Sequence, residues 1–333
     1  MKALALKKII SIVLLLAVIF SFTACEERIT PKSRTFFGYF DTFITVYDYT
    51  GGSQRDFDAM CSEIEEKIEK YHKLFDIYNR YEGVVNLAQI NESEGKLKVD
   101  TELFDFLTFA LEIHGLTGGE VNIAFGSVLE IWHRYRKEGR EVPSEEILNE
   151  ANLHTDLKSL SLNNEEMTVE RLDAQMKLDA GAVGKGYALE AVGEYIRENY
   201  GEGYVLDFGG NLKSIGTKKN GEGWTTGIKN PDVSSDSYAY TTVLSDECIS
   251  TSGNYERFYT VGGVRYHHII DKDSLFPENY YASVSVICKS GALSDALSTA
   301  FFNMTKEQIL KVKSTLSNIE IIVVYENGKV EKI

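Results

Sequence analysis

Apolar positions change their spacing along this chain, and the change separates a mostly helical first half from a strand-rich second half. Residues 35–49 mix aromatic and β-branched side chains, which predicts a strand or hairpin arm. Phe57, Met60, Ile64, Ile68 and Tyr71 recur every three or four positions, predicting an amphipathic helix over 54–73. Leu103, Leu107, Ala110 and Leu111 mark a second helix, and a third runs from Ser127 to Tyr135. Pro143 precedes a short helix over 144–153.

From residue 157 the texture is that of short strands. Two apolar-polar alternations flank Asn163-Asn164 as a hairpin, and a strand follows over 175–179. A helix is expected over 186–198. Strands are expected over 204–208, 212–216, 225–228, 240–244, 258–261, 264–270 and 283–288, with Gly262-Gly263 at a tight turn. Helices over 290–303 and 305–316 and a hairpin over 319–333 close the chain. Strands and helices do not alternate as βαβ units. The expected fold is therefore α+β, a single two-lobed domain of mixed, largely antiparallel strands with packed helices.

The N-terminus has a different character. Lys2, Lys7 and Lys8 precede an apolar run from Ile9 to Phe20 broken only by Ser11, and small residues lead into Cys25. This is the order of a secretory leader with a lipobox. The alternative, an uncleaved anchor helix, is disfavoured because the run is shorter than the roughly 20 residues a span needs. The expected organisation is a signal peptide over 1–24, a lipid-anchored polar tether over 25–35 and one domain over 36–333. Lipid on Cys25 would place the protein on the extracytoplasmic face of the cell membrane, anchored without spanning it.

Net charge narrows the partners. The formal charge is −15, and losing three leader lysines and no acid takes it to −18. Such a balance argues against non-specific nucleic-acid binding, though a local basic phosphate site remains compatible with it. Besides Cys25, three cysteines stand at wide spacings without a Cys/His cluster, so no zinc site is indicated. Cys61 and Cys288 fall on apolar faces as small core residues.

Four segments could carry chemistry. Asp179-Ala-Gly-Ala-Val-Gly-Lys-Gly combines three glycines, Lys185 and a helix start, which is either a phosphate cradle or a plain turn. It is neither a P-loop nor GxGxxG. Asp295 and Thr299 share one helix face, as two hard oxygen ligands or as a capping or solvent-facing pair. His267 and His268 would point to opposite faces of a strand, so only one can serve a given site. Such a histidine is either a base near neutral pH or a structural residue. Thr251-Ser-Gly-Asn-Tyr-Glu-Arg reads as a polar turn in which Glu256 and Arg257 can pair. Ser252 lacks the elbow of a serine nucleophile.

Taken in order, Asp179-Ala-Gly-Ala-Val-Gly-Lys-Gly-Tyr-Ala, Asp207-Phe-Gly-Gly-Asn, Thr251-Ser-Gly-Asn-Tyr-Glu-Arg, His267-His-Ile-Ile-Asp and Ser294-Asp-Ala-Leu-Ser-Thr resemble the FAD:protein FMN transferases, the ApbE family. The resemblance spans about Thr35 to Met304. It implies Mg²⁺ on the Ala182 carbonyl, the Asp295 carboxylate and the Thr299 hydroxyl. It implies FAD contacts from Asp179, Lys185 and Ile270, with Tyr78 at the family's aromatic position. Phe40 stands where the family often has methionine, and Glu120, Val121 and Asn122 where it often reads Ala-Phe-Asp. His268 becomes the expected base.

The implied reaction is Mg²⁺-dependent transfer of FMN from FAD to a threonine hydroxyl of an acceptor protein, releasing AMP. The expected acceptor is an exported subunit of a flavin-bearing redox complex. Two rivals share the pocket: a Mg²⁺-dependent FAD pyrophosphatase and a non-catalytic flavin-binding lipoprotein. Asp295, Thr299 and His268 together favour the enzyme.

Overall fold

The computed structural model describes residues 30–232 and 237–333; the leader and Cys25 lie outside the described residues. No helix among the described residues is long and apolar enough to cross a membrane. The chain begins with β1 (Lys32–Tyr39) and β2 (Thr42–Asp48), a hairpin whose two turn residues, Phe40 and Asp41, have φ of +53° and +52°. Positive φ at both turn positions matches the right-handed twist of the flanking strands. Lys32 pairs with Asp48, so residues 32–35, expected in the tether, already belong to the sheet.

Helix α1 (Gln54–Phe75) follows, capped by Ser53 and burying Phe57, Met60, Cys61, Ile64 and Ile68. A short α2 (Leu87–Glu92) precedes β3 (Leu97–Lys98), α3 (Thr101–Leu116), α4 (Gly126–Glu138) and α5 (Glu145–Asn152). Next come β4 (Leu160–Asn163), β5 (Thr168–Arg171), α6 (Gly184–Tyr200), β6 (Tyr204–Phe208), β7 (Leu212–Ile215), β8 (Trp224–Lys229), β9 (Tyr238–Leu244), β10 (Cys248–Gly253), β11 (Phe258–Val261) and β12 (Val264–His267). The chain ends with β13 (Ser283–Cys288), α7 (Gly291–Phe302), α8 (Lys306–Lys313), β14 (Glu320–Val324) and β15 (Val330–Lys332).

One antiparallel sheet organises these elements, in the order β1-β2-β6-β7-β10-β13-β14-β15. Helices α1, α6 and α7 lie on one face: α1 against β1, α6 against β6 and β7, α7 against β10 and β13. The β8–β9 hairpin covers the other face through Ile228 and Leu244, which meet Ile249, Ile287, Ile322 and Val324. Central strands are thus buried on both sides, and every residue of β13 is buried. The second lobe packs α4 and α5 against the β11–β12 hairpin around Trp132, whose Nε1 donates to the Leu275 carbonyl at 3.0 Å.

Four expectations need correction. Residues 175–179 form no strand, only a bridge between Phe125 and Lys177. Their backbone groups are taken by side chains instead: Asn91 Nδ2 donates to Leu178 O (2.9 Å), Asn91 Oδ1 accepts from Leu178 N (2.6 Å), and Arg171 donates to Ala174 O and Met176 O. Residues 251–253 end the central strand β10 instead of opening a turn, and β12 stops at His267, leaving His268 to Ile270 outside a ladder. Finally, α6 starts two residues early, so Lys185 sits in its first turn.

Asn91 is buried and single-handedly satisfies both backbone groups of Leu178. Asn91→Ala would orphan a buried donor and a buried acceptor. The expected loss is about 2–6 kcal/mol, from roughly 1–3 kcal/mol per unsatisfied group. It should appear in urea unfolding as a lower midpoint at unchanged slope. A midpoint equal to wild type would contradict this account of segment 175–179.

Candidate functional site

The site is built where α6 meets α7. Gly186 lies so close to α7 that a Cβ there would collide with Asp295 Cβ and the Gly291 carbonyl oxygen. That closeness lets Asp295 Oδ2 accept the Gly186 N–H at 2.6 Å. The carboxylate thus caps α6 from a neighbouring helix, where the N-terminal dipole favours negative charge. Lys185 Nζ stands 3.9 Å from Asp295 Oδ1. In a regular helix the Gly186 N–H would reach the carbonyl four residues back, that of Ala182. Spent on Asp295, it leaves the Ala182 carbonyl without a hydrogen bond among the described residues.

Thr299 lies one turn beyond Asp295 on α7, its hydroxyl 3.3 Å from the Asp295 carbonyl and 3.2 Å from Ser252 Oγ. A carboxylate, a free carbonyl and a hydroxyl form the hard oxygen set that suits Mg²⁺. The donor set therefore fits the implied ion.

The loop before α6 is held from both sides. Asp179 N donates to Ile123 O (2.8 Å), and Asp179 Oδ1 accepts from Gly181 N (2.7 Å). This brings the 120–124 turn beside the loop. Val121 is buried. The Asn122 side chain serves its own turn, donating to Thr155 O (2.8 Å) and accepting from Ala124 N (2.9 Å). Glu120 is nearly buried and faces Lys272 at 3.4 Å. Burial, only partly opposed by Lys272, pushes its carboxyl up to about 7. Glu120, Asp271 and Asp273 gather their carboxylates within 4.8 Å, with Lys272 as their cation. Ile270 is buried, its carbonyl accepting from Asn303 Nδ2 at 3.1 Å.

The two adjacent histidines part company. His267 is buried, bonded through Nε2 to the Glu278 carbonyl (2.9 Å) and packed edge-on against Phe302. His268 is half-buried, its Nδ1 3.2 Å from the Arg257 carbonyl. A carbonyl only accepts, so Nδ1 carries the proton and Nε2 keeps a free lone pair. Burial first, then the charges of Arg257, His267, Lys185 and Arg136, push His268 down to about 3.

The remaining predicted residues lie on the rim. Phe40, at the hairpin tip, packs against His72, Phe75 and Phe208. Tyr78 is exposed, with its hydroxyl 3.0 Å from His133 Nδ1. Sequence reasoning missed His133 and Arg136, which share one face of α4 at i, i+3. It also paired Arg257 with Glu256. The structure pairs Glu256 with Lys229 instead, and Arg257 donates to the Asp41 carbonyl (3.2 Å). Burial lowers Arg136, and Arg257 is the strongest charge acting on it. His133 is lowered by burial first, with Asp179 opposing and Arg136 and Arg257 adding to the effect. Arg136, Arg257, Lys185, His133 and His268 thus act on one another as a cluster, with Asp179 opposing at His133 and Arg136, in a chain of net charge −15. Such a cluster of cations suits a phosphate-bearing anion.

Comparison with known proteins follows the same lines. The model of the ApbE family matches residues 40–323. The chain is 27% identical over 260 residues to the FAD:protein FMN transferase of Vibrio cholerae, covering 77% of each chain. It is 22% identical over 334 residues to that of Haemophilus influenzae, covering 98% of this chain and 96% of the relative. The crystal structure of the ApbE protein from Thermotoga maritima superposes with a TM-score of 0.81 at 27% identity, over 91% of this chain and 97% of that one. The flavin transferase ApbE from Vibrio cholerae gives 0.76 at 23% identity, with the same coverage.

The contact at Gly186 predicts that one substitution will have opposite effects in two helices. Gly186→Ala should cost at least about 3 kcal/mol, since the colliding atoms include backbone and overpacking of this kind costs about 1–3 kcal/mol or more. Gly115→Ala, in α3, meets nothing within 4 Å and should be neutral or stabilising by up to about 1 kcal/mol. Thermal unfolding of both variants checks the pair. Equal midpoints would contradict the α6–α7 contact.

Proposed function

The chain belongs to the ApbE family, and from this premise we propose that it transfers FMN from FAD to an acceptor protein. The observation that carries the reading is the junction at Asp295. One carboxylate, one free carbonyl and one hydroxyl come together there, with Lys185 3.9 Å from the carboxylate and also acting on His268, whose Nε2 is proton-free. In this reading Ala182, Asp295 and Thr299 hold Mg²⁺, which, when bound, offsets pyrophosphate charge and polarises the bond to be broken. Lys185, Arg136 and Arg257 hold the pyrophosphate. Asp179, Ile270 and the 120–122 turn line the FAD site. Tyr78 offers its exposed ring to the flavin, and Phe40 supports the rim.

The nucleophile is a threonine hydroxyl of the acceptor, which is poor until its proton leaves. His268 Nε2 takes that proton. The threonine oxygen forms a bond to the FMN phosphorus. The bond from that phosphorus to the bridging oxygen breaks, and AMP departs with the oxygen. Positioning and charge stabilisation supply most of the rate, as in other phosphoryl transfers. A pyrophosphate among Arg257, Lys185 and Arg136 also offsets the charges that depress His268, so anion binding raises its basicity when it is needed. The leader and Cys25 complete the proposal: a lipid-anchored enzyme on the extracytoplasmic face, acting on exported acceptors.

The mechanism is tested by measuring AMP release and acceptor flavinylation with and without acceptor. His268→Ala should lower transfer by roughly 10² or more, the usual scale for a lost general base, with metal-free FAD binding retained. Asp295→Ala should abolish most Mg²⁺-dependent turnover. Full-rate AMP release without acceptor would favour the pyrophosphatase, and undiminished transfer by His268→Ala would remove it from the mechanism.

Location is tested separately. Cys25→Ala should move the protein out of the membrane fraction or block its processing. Unchanged retention and unchanged mass would overturn the lipid anchor.

A further inference from the structure

Ser252 stands in β10 facing α7, and the proposed reaction gives it no role. Its Oγ lies 2.9 Å from Ser298 Oγ and 3.2 Å from Thr299 Oγ1. Each of these hydroxyls has a single proton to give. Ser298 gives its proton to the Asp295 carbonyl at 2.9 Å, because a carbonyl can only accept. Ser298 Oγ must then accept from Ser252. With the Ser252 proton spent, its contact with Thr299 is a hydrogen bond only if Thr299 donates. The other acceptor for Thr299, the Asp295 carbonyl at 3.3 Å, is farther away and already occupied by Ser298. The proton order therefore runs from Thr299 to Ser252 to Ser298 to the Asp295 carbonyl.

We infer that Ser252 is a positioning residue for the divalent cation: by taking the only proton of Thr299 it leaves both lone pairs of that hydroxyl free for the ion held by Asp295. This rests on the metal reading proposed above and adds a supporting shell to it. The chain of hydroxyls ends on the Asp295 backbone carbonyl, so the network that orients the Thr299 hydroxyl is closed within the turn that carries both ligand residues. A second arrangement on the same strand supplies the control. Ser250 meets Ser294 at 2.8 Å, and Ser294 donates to the Gly291 carbonyl at 3.0 Å, but neither touches a ligand oxygen. Losing Ser250 removes the same kind of buried hydrogen bond without freeing the proton of Thr299. Losing Ser252 leaves that proton only the Asp295 carbonyl, and the hydroxyl turns back onto its own helix.

The test titrates Mn²⁺, standing in for Mg²⁺, into the full chain and follows the free-ion paramagnetic resonance signal. In parallel it finds the Mg²⁺ concentration giving half-maximal transfer. Ser252→Ala should weaken both by about 10-fold or more, the range seen when a partner behind a metal ligand is lost. Ser252→Thr keeps the hydroxyl and should restore them. Ser250→Ala should bind Mn²⁺ within about twofold of wild type, and metal-free FAD binding should be unchanged in all three variants. Wild-type Mn²⁺ affinity in Ser252→Ala, or an equal loss in Ser250→Ala, overturns the inference. Asp295→Ala separates the levels. If it keeps Mn²⁺, the metal reading falls and this inference with it; if it loses Mn²⁺ while Ser252→Ala keeps it, Ser252 alone is dismissed.

Discussion

The hydrogen bond from the Gly186 N–H to Asp295 ties the site to the fold. A charge-assisted bond of this kind contributes about 1.5–3 kcal/mol, but its larger consequence is geometric. It can form only because α6 carries no side chain at that point, and the two backbones touch there. That approach fixes where the α6 N-terminus begins, and so where Lys185 and the 179–183 loop can lie. It frees the Ala182 carbonyl from helical duty. It also gives a buried carboxylate two partners, a helix N-terminus and a partly exposed lysine.

Around that fixed point the chain accumulates charge of the sign its surface lacks. Burial first, and then charges that include Arg257 and Arg136, hold His268 neutral, and burial with Arg257 lowers Arg136. Convergent cations in a partly buried cleft are destabilising in the empty protein, and the fold bears the cost by rooting each on a separate element. Arg136 comes from α4, Arg257 from the start of β11 and Lys185 from α6. The two lobes thus contribute different parts. The sheet-and-helix lobe supplies Ala182, Asp295 and Thr299, the oxygens of the proposed metal site. The lobe around Trp132 supplies the basic wall and, just after β12, the histidine.

Much of this was legible in the sequence where burial is one-sided. The helix over 54–73 and the strand over 204–208 declared themselves by period, because one face meets the core and the other does not. The helical pair Asp295 and Thr299 was legible too, since i, i+4 spacing places residues together without knowledge of the rest of the fold. What period could not reveal was any element defined by its neighbours. Strand β10 reads Cys-Ile-Ser-Thr-Ser-Gly, too polar for a core strand until the hydroxyls of α7 are known to lie opposite. Segment 175–179 had strand composition, but its backbone partners are the side chains of Asn91, 87 residues from Leu178 along the chain, and of Arg171. His133 and Arg136 looked like the polar face of an ordinary amphipathic helix. Only the second lobe, folded over them, makes that face a wall of the cleft.

The polar seam between β10 and α7 shows what that hidden information is for. An apolar interface would hold the helix at least as firmly, since a hydrogen bond nets only about 1 kcal/mol and buried hydroxyls must be fully satisfied to be neutral. Apolar packing, however, is indifferent to where a hydroxyl proton points. Ser294 and Ser298 are fully buried, and each donates within its own helix, which compels it to accept from the strand. Direction is therefore imposed along the seam from α7 toward β10 and back. In the proposed metal site Thr299 needs direction more than adhesion, because an ion responds to lone pairs and is repelled by a proton. The sheet beneath α7 thus sets the chemistry of the helix through the order of its protons as well as supporting it.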